Sequence, residues 1–332
     1  MRTFAYILHK AGVVDDSATE LLTAAKKLDP GASPIAIVTG WGPDLDSVCD
    51  RVRTFYGEVW KIGSEALAYP NAELVRSALV KVLPTGSVLL VAHEHFGIDL
   101  SPGLSVKLNS AFVSDVLDID GVEGTQVKVV RQEFGGQIST HVRCDVSSGA
   151  VINVRPGAFK AANGAPVLGQ IVDMSDEVGA LSAKRRYIET LVAESGGVDI
   201  TKYDVLISVG RGIQEQGNVG IAQELADAMG AAVSCSRPVV DAKWMEKSRQ
   251  VGSSGKTVKP KVYMACGISG AFQHLAGIKG NPLIIAVNKN PKAPIFQVAD
   301  VGIVADILEF LPELTNKVRE ARGISAKAGG RQ

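Results

Sequence analysis

Five apolar runs rich in β-branched residues follow one another late in the chain: Asp204–Val209, Ala231–Cys235, Val262–Cys266, Leu283–Val287 and Val301–Ala305. Each gives way at once to residues that break a strand or carry polar groups. Gly210-Arg211-Gly212 follows the first, Ser236-Arg237-Pro238 the second, Gly267-Ile268-Ser269-Gly270 the third, Asn288-Lys289 the fourth and Asp306 the fifth. A helical pattern at Ile221–Met229, with Gly230 in the C-cap position, separates the first two. Apolar runs without polar alternation suit strands covered on both faces of a parallel sheet. Strands alternating with helical patterns predict a doubly wound α/β domain. In such a sheet all strands end on one edge, and ligands bind there. The sequence thus sends glycines, hydroxyls, arginines, an amide and a carboxylate toward one crevice.

The earlier part of the chain repeats the alternation. Strand-like runs at Phe4–Leu8, Pro34–Val38, Val59–Ile62 and Ser87–Ala92 frame helical patterns at Ser17–Leu28 and Asn71–Val82. Leu21, Leu22, Ala25 and Leu28 share one helix face, and Pro30-Gly31 follows. Residues 126–154 differ: Val127, Val129 and Val130 lead to Arg131, then Gly135-Gly136, then Ile138–Val142 and Ala150–Val154. This pattern predicts antiparallel strands around a glycine turn, added to a mostly parallel sheet. Residues 175–203 are more charged and contain Gly196-Gly197. The expectation is therefore two α/β domains, 1–195 and 196–332, each a mostly parallel sheet with flanking helices. The glycine pair would permit motion between them.

Lysine plus arginine equals aspartate plus glutamate, 35 each, so no net field draws the chain to nucleic acid or an acidic membrane. No run reaches the roughly 18 apolar residues of a membrane helix. Phe4–Leu8 is too short for a signal segment, so a cytoplasmic protein is expected. Cys49, Cys144, Cys235 and Cys266 form no CxxC pair and read as reduced thiols, mostly in the core. His93-Glu94-His95 invites a metal but lacks a third ligand at a supporting spacing, and no metal is expected.

Two loops bear on ligand chemistry. Gly267-Ile-Ser-Gly270 stands between a strand and a helical segment, where backbone N–H groups can meet a phosphate. Gln250-Val-Gly-Ser-Ser-Gly-Lys256 offers hydroxyl and N–H donors, or is merely a surface turn. Neither is a GxGxxG fingerprint or a P-loop, and GxSxG and HExxH are absent. His274, between apolar neighbours, reads as a partly buried ring as readily as a ligand contact.

Taken together, Ser236-Arg-Pro-Val-Val-Asp241, Gln250–Lys256, Gly267-Ile-Ser-Gly-Ala-Phe-Gln-His-Leu-Ala-Gly277, Ala286-Val-Asn-Lys289, Ala293–Asp300 and Val304-Ala-Asp306 resemble the alpha subunit of electron-transfer flavoproteins. Val154-Arg-Pro-Gly-Ala-Phe159 and the turn from Arg131 to Gly136 extend a looser resemblance to the first domain. The resemblance implies one FAD in the C-terminal domain. It also implies a beta subunit carrying AMP or a second FAD, flavin dehydrogenases such as acyl-CoA dehydrogenases as donors, and a quinone oxidoreductase as acceptor. An electron carrier is implied rather than an enzyme. The implied FAD contacts are Arg211, Ser236, Arg237, Val251, Gly252, Ser253, Ser254, Ser269, Gly270, Ala271, Phe272, Gln273, His274, Asn288, Asp306 and Ile307. Among them Arg237, Ser254 and His274 tune the flavin: Arg237 by charge, Ser254 toward N5, His274 by a hydrogen bond to a ring carbonyl. Ser253-Ser254 stands where the family commonly has Gln-Thr, Val301 where it has an aromatic residue, and Asn290 where it has an acid.

Three other readings stay open. A bifurcating carrier would hold two flavins per heterodimer, a nicotinamide-dependent dehydrogenase would turn over substrate alone, and a cofactor-free interaction subunit would take up no FAD.

Overall fold

The computed structural model describes residues 2–31, 33–134, 138–162, 168–189 and 198–323. The chain forms two compact units, Met1–Thr190 and Leu191–Gln332. The expected boundary at 195/196 and the Gly196-Gly197 pair fall outside the described residues, as does the Gly135-Gly136 turn.

The strands of the first unit are β1 (Thr3–Tyr6), β2 (His9–Lys10), β3 (Val13–Val14), β4 (Ile35–Gly40), β5 (Glu58–Gly63), β6 (Val88–Ala92), β7 (Ala111–Glu123), β8 (Gln126–Glu133), β9 (Ile138–Asp145), β10 (Ala150–Val154) and β11 (Gln170–Asp173). Apart from the β2–β3 ribbon they form one sheet, in the order β11-β5-β4-β1-β6-β10-β7-β8-β9. Pairing is parallel from β11 to β7 and antiparallel at β7–β8 and β8–β9. Helices α1 (Ser17–Leu28) and α2 (Gly42–Val52) cover one face, packing on Ala5, Ile7, Ala36 and Val38. Helices α3 (Ala72–Val82) and α4 (His95–Leu108) cover the other, on Phe4, Tyr6, Ile37 and Val91. Short α5 (Ser175–Val178) adds Val178 to that second face. Every residue of β1, β4, β6 and β10 is buried, which is why these strands are mostly apolar, with Thr3, Thr39 and Asn153 the polar exceptions.

Helix α1 spans the range its apolar period marks, and Leu21, Leu22, Ala25 and Leu28 are all buried. Two parts of the expectation need correction. Ala150–Val154 is no part of an antiparallel extension: β10 lies inside the sheet, parallel to both β6 and β7. The antiparallel addition is β8 and β9 beside β7, a strand that the sequence reading omitted. Register is a long-range property, and an apolar pentapeptide does not reveal its neighbours. Helices α2 and α4 are not among the helical patterns named from the sequence; each contains a Gly–Pro or Pro–Gly pair, which locally favours a turn. Pro43 sits in the first turn of α2, where its missing N–H costs nothing.

The second unit contains β12 (Val205–Val209), β13 (Ala232–Cys235), β14 (Val262–Cys266), β15 (Leu283–Val287) and β16 (Val301–Ile303) in the order β13-β12-β14-β15-β16, all parallel. Its helices are α6 (Val219–Met229), α7 (Arg237–Asp241), α8 (Phe272–Leu275) and α9 (Ile307–Ala321). Gly230 ends α6 in the left-handed conformation, with φ of 67°. α6 and α9 pack on one sheet face through Ala222, Leu225 and Leu311 against Ile207, Val209 and Val287. The other face is covered mainly by loop residues, including Val251, Val258, Ile268 and Ile295, over Leu206, Tyr263 and Ala265. Among the described residues no helix is long and apolar enough to cross a membrane. All four cysteines are free thiols; Cys49, Cys235 and Cys266 are buried and Cys144 is half-buried.

Candidate functional site

The strand order of the second unit reverses at β12, which pairs with β13 on one side and β14 on the other. Two glycine loops meet at the carboxyl ends of β12 and β14. Gly210 N–H donates to the Cys266 carbonyl at 2.8 Å, and Gly212 N–H to the Gly267 carbonyl at 3.1 Å. A Cβ on Gly210 would stand 2.3 Å from the Gly267 oxygen, so no side chain fits between these backbones. This is the switch point where doubly wound sheets bind ligands.

Around it lie the residues expected from the sequence. Arg211, Arg237, Ser253, Ser254, Ser269, Ala271, Phe272 and Gln273 are exposed on the loops beyond β12, β13 and β14. Ser236, Val251, Gly252, Gly270, His274 and Ile307 are buried beneath them. Arg237 opens α7 and keeps a loose ion pair with Asp241 at 3.4 Å, its side chain 68% exposed. Asn288 donates to the Ile268 carbonyl at 2.9 Å and so braces the loop after β14. Asp306 caps α9 by accepting the Leu308 N–H at 2.9 Å.

The loop from Gln250 to Lys256 closes on itself. Lys256 N–H reaches the Gln250 carbonyl at 2.7 Å, and Ser253 N–H ties the loop to Gln273 at 2.7 Å. Gly252, at φ of 138°, leaves only 2.8 Å between an added Cβ and the Gln273 oxygen. Buried Gln250 donates from Nε2 to the Ser254 hydroxyl oxygen at 2.8 Å. That fills an acceptor position on Ser254 and leaves its proton for an outside acceptor.

His274 is held from two sides. Nδ1 lies 3.1 Å from the Val251 carbonyl, and Nε2 lies 2.8 Å from the Tyr263 hydroxyl, which also lies 2.7 Å from Ser208. Burial pushes the imidazole down to about 4, against a smaller upward pull from the Val251 carbonyl. The neutral ring therefore carries its proton on Nδ1, because a carbonyl only accepts, and Nε2 faces the Tyr263 hydroxyl. Both nitrogens are engaged inside the protein. The expected hydrogen bond from His274 to a flavin carbonyl requires the ring to give up the Val251 carbonyl or, with its proton moved to Nε2, Tyr263.

The sequence reading missed three members of this arrangement: Gln250 as the partner of Ser254, and Tyr263 with Ser208 as the partners of His274. Hydroxyls within otherwise apolar strands are the signal that could have found the last two, since buried polar groups need partners. Among the described residues no three His, Cys, Asp or Glu side chains come together to hold a metal ion.

The donor set fits the FAD that the resemblance implies. Gly252, Gly267 and Gly270 leave no room for side chains where backbone must come close, and Arg211 and Arg237 present exposed cations. An elongated, doubly anionic dinucleotide needs such bare backbone and such charge.

Residues 3–190 match the electron transfer flavoprotein domain, and residues 199–279 match the electron transfer flavoprotein FAD-binding domain. The chain is 34% identical over 315 residues to the probable mitochondrial electron transfer flavoprotein subunit alpha of Cryptococcus neoformans var. grubii, covering 93% of this chain and 89% of that protein. It is 35% identical over 317 residues to the electron transfer flavoprotein subunit alpha of Thermoanaerobacterium thermosaccharolyticum, covering 94% and 96%. A third relative, 33% identical with 85% and 82% covered, is the acryloyl-CoA reductase electron transfer subunit beta of Anaerotignum propionicum. With both halves matched in order and relatives aligned over nearly its whole length, the chain belongs to the electron-transfer flavoprotein alpha-subunit family.

Proposed function

We propose that this chain holds one FAD at the carboxyl edge of its C-terminal sheet and, with a beta subunit, carries electrons between flavin dehydrogenases and a quinone oxidoreductase or another acceptor. The observation that supports this most is the convergence of the Gly210, Arg237, Ser254, Gly270 and Asp306 loops on one edge at the strand-order reversal. Acyl-CoA dehydrogenases, and with them fatty-acid β-oxidation, are the donors this reading names. The beta subunit would carry AMP, and the complex would work in the cytoplasm without entering a membrane.

FAD, when bound, supplies the one-electron redox chemistry. The chain binds, orients and tunes. Arg237 provides a positive charge that favours negative charge on a nearby ring, and its exposure leaves it available for that contact. Ser254, with its acceptor side filled by Gln250, offers a proton toward a ring nitrogen such as N5. The loop N–H groups after β14 and the start of α9 suit the phosphates. His274 and Tyr263 hold Val251 and its loop in place from below.

A second reading is a bifurcating carrier with a second FAD in the beta subunit. Flavin quantified against heterodimer in the co-expressed complex separates the two. One FAD supports the simple carrier, two support bifurcation, and none overturns both.

A further inference from the structure

Three sequence features that the flavin site does not use meet in the first unit. They are His93 from the His93-Glu94-His95 run, Arg131 at the end of the valine-rich strand, and Arg155 from Val154-Arg-Pro-Gly. His93 follows the last residue of β6 and Arg155 the last of β10, so both stand at the carboxyl edge of the larger sheet. Arg131 lies on β8 opposite Val116 of β7. This edge is where a parallel sheet offers ligand space.

Asp115 organises the cluster. It is a non-glycine residue at φ of 59° inside β7, where the pairing with β10 shifts register between Ile152 and Val154. Such a left-handed residue in a bulge is strained, and bulges re-aim side chains. Here the carboxylate meets Arg155 through two bonds, Nε to Oδ1 at 2.7 Å and a terminal nitrogen to Oδ2 at 2.6 Å. Gln132 accepts from the remaining side of Arg155 at 3.0 Å. Asp115 is thereby committed to Arg155, and its oxygen is 3.8 Å from Nε2 of His93.

Among the described residues the Asp115 charge that acts on Arg131 is already held by Arg155, and Arg131 makes no ion pair of its own. Its Nε and the Nδ1 of His93 are both buried without a hydrogen-bond partner among the described residues. The charges that act on His93 are those of Asp115, Arg155 and Arg131. Two cations therefore share one carboxylate. A buried guanidinium N–H left without an acceptor is costly, more so than the same group in water. Helix α4 starts at His95 beside the cluster, with Glu94 at its N-cap. The side chains of His93, Asp115 and Arg155 are 22%, 18% and 17% exposed, so the cluster opens to solvent.

We propose that Arg131 and His93, supported by Arg155, form an oxyanion site at the carboxyl edge of the N-terminal sheet, taking the phosphate or carboxylate of a small ligand. The ligand oxygens accept from Arg131 Nε and His93, and its charge balances the second arginine. The site belongs to the first unit and the flavin edge to the second. The cluster is not arranged for a metal ion: Asp115 is taken by Arg155, and no third ligand stands by among the described residues.

The full chain labelled in its five histidines tests this, with inorganic phosphate and acetate as separate probes. The His93→Gln variant assigns the His93 ring signal. A saturable shift of that signal and a raised His93 pKa are expected, with binding weakened about tenfold or more in Arg131→Gln. Arg131→Lys, which keeps the charge and loses the Nε donor, weakens binding as well and serves if the glutamine variant does not fold. A shift with phosphate alone assigns a phosphate-bearing ligand, and a shift with both assigns any oxyanion. No saturable shift with either probe, or the same affinity without Arg131, overturns the proposal.

Discussion

The Tyr263 hydroxyl lies 2.8 Å from Nε2 of His274, and both side chains are buried beneath the loops that end the C-terminal strands. Through Nδ1 the same ring holds the Val251 carbonyl, so one buried tyrosine on β14 braces the loop that presents Ser253 and Ser254. Tyr263→Phe keeps the ring volume and removes the hydroxyl, leaving Nε2 and Ser208 without their shared partner. A loss of about 1–3 kcal/mol in urea unfolding of the full chain is expected. Unchanged stability would show that the tyrosine–histidine bond carries no weight.

The same histidine gives the C-terminal unit a pH dependence. Its folded pKa is depressed to about 4 by burial, while an unfolded histidine titrates near about 6.5. Above the unfolded value both states are neutral and the group is indifferent. As pH falls below it the unfolded chain takes up a proton that the folded one refuses, so stability falls until pH reaches the folded pKa. Between pH 7 and pH 5 this amounts to about 2 kcal/mol. Urea unfolding at both pH values checks it, with His274→Gln expected to remove that part of the dependence.

Gly270 and Gly220 make a paired test of backbone against space. Gly270 has φ of 84°, and a Cβ there would stand 2.4 Å from the Ile295 nitrogen. Gly270→Ala should destabilise the chain by about 2–4 kcal/mol and lower the FAD recovered with it. Gly220, in α6, has nothing within 4 Å of an added Cβ, and Gly220→Ala should stabilise by about 0.5 kcal/mol. Thermal unfolding of the two variants should therefore move in opposite directions.

Arg237→Ala should leave FAD bound, because the glycine loops and the start of α9 remain. Its effect falls on the flavin potential. A unit charge at about 4 Å contributes roughly 4 kcal/mol at an effective dielectric of about 20. The guanidinium is 68% exposed, so screening reduces that figure. A fall in the one-electron potential on the order of 50–100 mV is expected in a dithionite titration. An unchanged potential would remove Arg237 from the tuning role.

The C-terminal unit was legible because each of its parts is local. Apolar runs of β-branched residues marked five parallel strands, and the glycine or polar residue closing each run marked the edge where they converge. Helix α1 could be read to the residue, since its apolar period is regular. In the first unit the sheet was legible as a class but not as an order. β7 mixes polar with apolar residues over its length, and β10 looks alike whether its neighbours run parallel or antiparallel. Nothing within either segment encodes which strand lies beside it.

The sequence by itself determined the α/β class, the strands of the C-terminal sheet and the loops at its edge, because periodicity and glycine placement act within a few residues of themselves. Tertiary structure alone decided that Tyr263 and His274 meet in a hydrogen bond, that Gln250 fills the acceptor side of Ser254, and that Asp115 is committed to Arg155 while the Nε of Arg131 is left without an acceptor among the described residues. Apart from Gln250 and Ser254, which share one loop, those pairings join residues on different elements, and a hydrogen bond or charge balance depends on ångström distances that packing sets.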